Sequence, residues 1–522
     1  MQLLPVGIQS FANLRNGGYL YVDKTKEIHR LITSGRIYFL SRPRRFGKSL
    51  LVSTLEELFS GNKSLFEGLY IYDKMDWSQQ YPVITIDWSV VKHSTAEEME
   101  RDTCTFLAGI AASHQITLKS EYASSRLNEL IVRLYKKNGR QVVVLVDEYD
   151  MPILDALDNS KEFDSIRYFM QAFYKVLKGA DKYLRFVFLT GVSKIAKVAI
   201  FSGMNSPDDI TMDAQYATIC GYTQDELENN FEEYINDFAL AQQMKTGEII
   251  ESIRRWFNGY SWDGHTTVYN PFSTLLLFRK RVFANYWFAS GTPTFLVDQI
   301  KKNNDVKFLI EPSELFSSEF DSYKPDAFET KLLLFQTGYL TVKNVTKSRF
   351  GEQMKYTLGV PNNEVRQSMM EHLVSSYAEY PVSETATKRD RMLNQLFDGD
   401  VSSFRRDLQE MFAHIPYQLH IPCESYYHSL FLVWLNMLGF EVNGEVSTDK
   451  GRIDAVWTWE ERVVVTEIKY ADKGSIKLLL QEAFEQIYDR RYYERYLGNN
   501  RRVALLAIAF AGKEIACRME EI

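Results

Sequence analysis

Ile37-Tyr-Phe-Leu-Ser-Arg42-Pro-Arg-Arg-Phe-Gly47-Lys48-Ser49 and, nearly one hundred residues on, Val142-Val-Val-Leu-Val-Asp147-Glu148-Tyr-Asp150 decide how this chain folds. The first is an apolar strand running into a glycine, a lysine and a serine that open a helix-like stretch. The second is continuously apolar until it ends in acids, which predicts a central strand covered by helices on both faces. Around them, strand-like runs at Ile37–Ser41, Val83–Asp87, Val142–Asp147 and Leu184–Thr190 alternate with helix-like stretches at Ser49–Phe59, Thr95–Ser113, Ser124–Lys137 and Phe163–Lys178. That alternation predicts an α/β domain built on a parallel sheet.

A Gly-Lys-Ser triplet between a strand and a helix is the context of a phosphate loop. Backbone N–H groups at the helix start can cradle phosphates, Lys48 can reach the β and γ phosphates of ATP, and the Ser49 hydroxyl can ligate Mg²⁺. Arg45, Phe46 and Leu50 complete the expected cofactor-binding set. The generic pattern has glycine where this chain has Arg42, and the plainer reading of the triplet is an ordinary helix cap. Asp147, at a buried strand end, can hold the water shell of Mg²⁺, and Glu148 can orient or deprotonate the attacking water. Thr190, ending the run Phe186–Thr190, is placed to sense the γ-phosphate. Asp23 and Lys24 either line the nucleotide pocket or form a turn. Arg44 and Arg45 lie in the loop itself, and no arginine finger is assigned.

At 522 residues the chain has room for roughly three to four domains. Apolar residues make up 45% and charged residues 25%, which excludes disorder as the dominant state. A net charge of −7 excludes a surface that attracts nucleic acid as a whole, so such contact requires a local basic patch. The longest apolar run found, Val503–Ala511, is far short of the ~20 residues of a membrane span. Met1-Gln-Leu-Leu-Pro-Val lacks the features of a secretory signal. Cys104, Cys220, Cys423 and Cys517 show no paired spacing, and a reducing cytoplasm fits best.

From about residue 222 to 300 the chain reads as helical, with aromatic loops at Trp256-Phe-Asn-Gly-Tyr-Ser-Trp262 and Tyr269-Asn-Pro-Phe272. A helix-like run at Phe328–Phe335, a hairpin formed by 338–342 and 354–358, and a helix opening at Asn362 predict a winged-helix-like module. The stretch Val382–Lys388 reads as a linker. Near the C-terminus two strand-like segments, Gly451–Trp459 and Arg462–Tyr470, are separated only by Glu460-Glu461. A two-residue turn there puts Asp454 directly opposite Glu467, with Lys469 on the same face. Paired carboxylates beside a lysine suit a Mg²⁺ ion, with Lys469 stabilising charge on a phosphodiester or positioning hydroxide. Glu424 and His428 lie one turn apart on an upstream helix, and Gln486 sits in a downstream helix. The plainer reading is a surface salt-bridge ladder. Arg490, Arg491, Arg495, Arg501 and Arg502 could touch phosphates, although a solvated helix face is the more ordinary reading.

Tyr21-Val-Asp-Lys-Thr25, Arg42–Ser49, Val146-Asp-Glu-Tyr-Asp150, Phe201-Ser-Gly-Met-Asn205 and Tyr269-Asn-Pro-Phe272 together resemble the prokaryotic AAA-ATPase-like family. Members commonly carry a C-terminal PD-(D/E)XK nuclease-superfamily domain, which Glu424, Gly451-Arg-Ile-Asp454, Glu467-Ile-Lys469 and Gln486-Ile487 match. The resemblance implies an additional-strand P-loop ATPase, taken over 1–221, and an α/β restriction-endonuclease-like domain, taken over 386–522; between them the residue pattern gives a helical lid region over 222–324 and the winged-helix-like module over 325–385. It implies ATP and Mg²⁺ as cofactors and catalytic roles for Glu148, Asp454, Glu467 and Lys469. Gln486 joins them as a supporting residue. Ser49, Asp147, Glu424, Asp454 and Glu467 are the expected metal ligands. The expectation is an ATP-regulated, Mg²⁺-dependent nuclease acting on DNA, with no membrane contact and with self-association into a homo-oligomer left open. The alternative is a nucleotide-dependent switch whose C-terminal domain binds a partner without cutting.

Overall fold

In the computed structural model, apolar runs bounded by glycine and acidic residues become strands, and the amphipathic stretches between them become helices. The structure describes residues 1–156, 160–194, 207–287, 300, 312–320, 330–348, 351, 353–378, 387, 390–392, 394–396, 398–413, 427, 431–432, 435, 441–448, 451–459, 462–471, 474–497, 502–511 and 514–522. The chain divides into two compact units, Met1–Trp287 with Ser313–Asn362, and Phe288–Pro312 with Asn363–Ile522.

The first unit opens with α1 (Phe11–Asn16), α2 (Thr25–Ser34), β1 (Ile37–Ser41), α3 (Lys48–Phe59), β2 (Val83–Asp87), α4 (Ala96–Ser113), α5 (Ala123–Asn138) and β3 (Val142–Asp147). It continues through α6 (Met151–Asp155), α7 (Ser160–Gly179), β4 (Leu184–Gly191) and the short β5 (Asp208–Asp209). All five strands are parallel, in the order β2-β3-β4-β1-β5. The additional strand β4 thus stands between β1 and β3, so the C-terminal ends of β1, β3 and β4 lie side by side. Loops at such ends are where open α/β sheets gather their ligands. Every residue of β3 is buried, as its apolar run requires. On one side Ile84, Val144, Val146 and Leu189 pack with Leu127, Ile131, Met170 and Phe173 of the helices.

Four helices follow: α8 (Gln224–Asn230), α9 (Glu232–Gln242), α10 (Thr246–Phe257) and α11 (Pro271–Lys280). Their apolar faces enclose Phe231, Phe238, Ile253 and Phe278 together with Leu20 and Val22 from the N-terminal segment. The expected hairpin is present as β7 (Thr341–Lys347) and β8 (Met354–Gly359), and β6 (Ser313–Phe316) adds a third strand on the far side of β8. α12 (Thr330–Thr337) precedes the hairpin and α13 (Asn363–Ala378) follows it, the latter opening the second unit's continuous stretch.

The second unit contains α14 (Val401–Ala413), β9 (Glu441–Thr448), β10 (Gly451–Trp459), β11 (Arg462–Ala471), α15 (Ile476–Asp489), β12 (Arg502–Ala511) and β13 (Glu514–Glu521). The strands form one mixed sheet, β13-β12-β11-β10-β9, in which only β11 and β12 run parallel. A parallel pair needs a crossover, and α15 supplies it. Its Ala483, Phe484 and Ile487 pack on Val463, Val465, Val503 and Leu505. Tyr427 stacks on Tyr470 at 4.8 Å and on Phe510 at 4.6 Å. Tyr470 alternates with Lys469, so this stack lies on the sheet face opposite α15. Among the described residues no helix is long and apolar enough to cross a membrane, and Cys104, Cys220 and Cys517 are free thiols.

Candidate functional site

The loop from β1 to α3 bends through two left-handed residues, Arg45 at φ 69° and Gly47 at φ 91°, the latter capping α3. Left-handed residues in such a loop turn successive N–H groups toward one concave side and form an anion-binding nest. Phe46 between them is buried against Tyr260 and Trp262, with ring centroids 4.8 and 5.6 Å away. Arg42, standing where the generic pattern has glycine, is fully buried. It donates to the carbonyls of Ser41, Thr211 and Tyr216, and its guanidinium lies 3.8 Å from the centre of the Trp262 ring. Burial pulls its pKa down to about 10, so it remains a cation at neutral pH.

Lys48 is only 4% exposed. Its Nζ donates to the Pro43 carbonyl at 3.3 Å and stands 3.8 Å from Glu148 Oε1. Asp147 is buried at the end of β3 and hydrogen-bonded to Ser49; burial pushes its pKa up to about 6 against the opposing pull of Lys48 and Ser49. Glu148 follows at φ 50°, with its N–H donating to Asp147 Oδ1 at 3.0 Å. The loop lysine, the helix serine and the two acids therefore meet at one end of the sheet. Thr190 is placed differently from a residue that faces a γ-phosphate: it is fully buried and its hydroxyl donates to the Leu40 carbonyl at 2.9 Å.

An apolar pocket adjoins Gly47 and is lined by Phe46, Leu50, Leu20, Tyr21, Cys220 and Tyr222 among others. Lys24 also lines it and pairs with Glu226 at 2.6 Å. Asp23 instead builds a turn, accepting from the Thr25 N–H and hydroxyl and from the Tyr70 N–H.

In the second unit, β10 and β11 pair with Ala455 opposite Thr466 and Trp459 opposite Arg462, the register of a two-residue turn. The paired ladder ends at Ala455 and Thr466, and Asp454 and Glu467 are the next residue along each strand. Asp454 Oδ2 accepts from the Ile468 N–H at 2.7 Å, and Glu467 Oε1 accepts from Lys469 Nζ at 3.4 Å and from Gln486 on α15. Glu467 is 1% exposed, and its Oε2 has no hydrogen-bond partner. Burial first, and then the Asp454 charge, push its pKa up to about 8, with Lys469 pulling the other way. A buried carboxylate oxygen left unpaired beside a second carboxylate is unfavourable unless a proton or a cation satisfies it. The donor set fits a hard divalent cation. Among the described residues no group of three His, Cys, Asp or Glu side chains converges as a metal site, so Asp454 and Glu467 form a two-carboxylate set. Glu424, His428, Arg501 and the Glu460-Glu461 turn lie outside the described residues.

Sequence reasoning missed several neighbours. Asp87 ends β2 directly beside Asp147 in the sheet and raises its pKa further; an acid ending an apolar strand was the available signal. Asp150 is fully buried and accepts from the Val192 and Ser193 N–H groups at 3.1 and 2.6 Å, while the Tyr149 hydroxyl donates to the Ser193 carbonyl at 2.7 Å. These contacts lock the turn carrying Glu148 onto the exit of β4. The aromatic residues around the phosphate loop were visible only as aromatic-rich segments.

Comparison with known proteins agrees with this two-part layout. The family model described as predicted AAA-ATPase matches residues 5–201, and that of the PD-(D/E)XK nuclease superfamily matches residues 423–520. A protein of Azotobacter chroococcum mcd 1, described as "Uncharacterized protein in vnfD 5'region", is 37% identical over 518 residues, spanning 97% of this chain and 96% of that protein.

Proposed function

The chain belongs to the predicted AAA-ATPase family and carries a C-terminal PD-(D/E)XK nuclease-superfamily domain, and on that premise we propose that it hydrolyses ATP at the first site and cleaves DNA phosphodiesters at the second. At the first site the loop N–H groups receive the phosphates, and Lys48 exchanges the Pro43 carbonyl for a phosphate oxygen. Ser49 and Asp147 would hold Mg²⁺, which when bound neutralises charge on the β- and γ-phosphate oxygens. Glu148 orients the attacking water and accepts its proton. The nucleoside lies against the apolar pocket beside Gly47.

At the second site Asp454 and Glu467, joined by Glu424, would hold a divalent cation, which when bound supplies Lewis acidity and an acidified water. Lys469 stabilises the charge that develops on the phosphodiester. Gln486 orients Glu467 through its amide. The observation that carries this reading is the buried Glu467 Oε2 without a hydrogen-bond partner, on a carboxyl whose pKa the nearby Asp454 charge raises. DNA as substrate, Mg²⁺ as the metal, the cytoplasm as the setting and a homo-oligomer as the assembly all belong to the proposal.

ATP turnover by the purified chain tests the first half. Lys48→Ala is expected to abolish hydrolysis, because it removes a charge-assisted contact to the transferring phosphoryl group. Glu148→Gln is expected to keep nucleotide binding and lose most turnover, since the amide fits but accepts no proton. Unchanged turnover in Lys48→Ala contradicts the site, and joint loss of binding and turnover in Glu148→Gln makes Glu148 structural.

A further inference from the structure

Successive residues of the phosphate loop are each seated on groups from far along the chain. Pro43 lies against Gly338, where an added Cβ would come within 2.7 Å of it. The Arg44 carbonyl accepts from the Trp287 indole Nε1 at 3.1 Å, and the Arg45 guanidinium stands 4.9 Å from the centre of the Phe272 ring. We propose that Trp287 is a positioning residue of the nucleotide site: its indole N–H holds the Arg44 carbonyl outward and so turns the Arg45 N–H toward the bound phosphate. The inference rests on the ATP-binding reading above.

Across a planar trans peptide the carbonyl and the next N–H point in opposite directions, and the described residues contain no cis bond. With the Arg44 oxygen fixed on Trp287, the Arg45 N–H therefore points away from Trp287. The reverse orientation would aim a carbonyl oxygen at an anion and repel it. Arg45 is also a side-chain-bearing residue at φ 69°, a strained conformation that persists where its surroundings over-determine it. Phe272 under the guanidinium and Trp287 on the preceding carbonyl are those surroundings.

Trp287 is itself well held. It is 6% exposed, packs on Tyr339 at 5.1 Å and on Tyr260 at 6.3 Å, and has Gly338 against its ring. A Cβ at Gly338 would lie 3.2 Å from Trp287 Cζ2, and φ there is 92°, so the glycine is needed on both counts. None of these residues touches the reacting atoms. Their action on hydrolysis passes through the loop backbone.

The test uses the full chain and a fluorescent ATP analogue with Mg²⁺. Trp287→Phe keeps an aromatic ring in place and removes only the N–H donor. Loss of one hydrogen bond predicts a rise of about 3- to 10-fold in the analogue Kd and in the KM for ATP. The turnover number and the nucleotide-free melting temperature should stay close to wild type. Unchanged Kd and KM overturn the proposal, as does a fall in turnover and melting temperature with KM unmoved, which marks a merely structural tryptophan. Should Trp287→Phe fail to fold, Trp287→Met, which also fills the space without an N–H donor, decides: a raised KM supports the proposal and an unchanged one overturns it. A wild-type chain that binds no analogue, like Lys48→Ala, instead overturns the ATP-binding reading itself.

Discussion

Glu467 is a carboxyl buried beside another carboxyl, and its protonation follows from that placement. Its pKa moves from an ordinary 4.5 to about 8, so between those values the folded chain holds a proton that the unfolded chain has lost. The contribution of Glu467 to the stability of the second unit without metal therefore falls as pH rises from about 4.5 to about 8, and levels off above. Glu467→Gln mimics the protonated form and removes this fall. In a chelator at about pH 9 the variant should melt higher than wild type, and at about pH 4 the two should nearly coincide. Adding Mg²⁺ at the higher pH should raise the wild-type midpoint only, because the cation replaces the proton. A variant that melts lower at the higher pH, or that still gains from Mg²⁺, contradicts the account. The acids and lysine of this site were legible because strand alternation and a short turn fix which side chains share a face. Gln486 was matched through the family motif, and its contact with Glu467 depends on how α15 crosses the sheet. Arg42 was legible only as a departure from a pattern, since its partners Thr211, Tyr216 and Trp262 are remote in sequence.

Among the elements, β4 and the turn after β3 are joined by several buried hydrogen bonds. The Tyr149 N–H donates to the Thr190 carbonyl at 3.0 Å, and Asp150 takes the N–H groups of Val192 and Ser193. Gly191 sits inside this lock, where a Cβ would be 2.2 Å from Asp150 Oδ1 and 2.5 Å from Tyr149 Cδ1. Gly191→Ala is therefore expected to cost about 1–3 kcal/mol in stability, read by denaturant unfolding, as overpacking of a tight site does. It should also slow ATP turnover by displacing Glu148. Wild-type stability and turnover in that variant would show that the lock does not set the Glu148 position. The strands Ile37–Ser41, Val83–Asp87 and Val142–Asp147 coincide with their reading from sequence, because continuous or alternating apolar runs declare buried strands. β6 was not legible: Ser313-Glu-Leu-Phe316 is short, and its partner β8 lies about forty residues on. β9 and β13 escaped for the same reason, since edge strands carry a weak pattern and pairing is decided by tertiary contact.

On the scale of the whole molecule, each unit has its own buried core and its own candidate site. Scanning calorimetry should then resolve separate transitions. A non-hydrolysable ATP analogue should raise the midpoint of one, and Mg²⁺ without nucleotide should raise the other, since a ligand stabilises the unit that binds it. One transition that responds only to both ligands together would contradict two self-contained sites. The measurement that bears most directly on the function is nicking of supercoiled plasmid by the purified chain in Mg²⁺ or Mn²⁺, with and without ATP, beside Lys469→Ala. The account predicts metal-dependent nicking by wild type, and none by Lys469→Ala although that variant melts like wild type and still hydrolyses ATP. No nicking by the wild-type chain, or nicking that persists in Lys469→Ala, would contradict it.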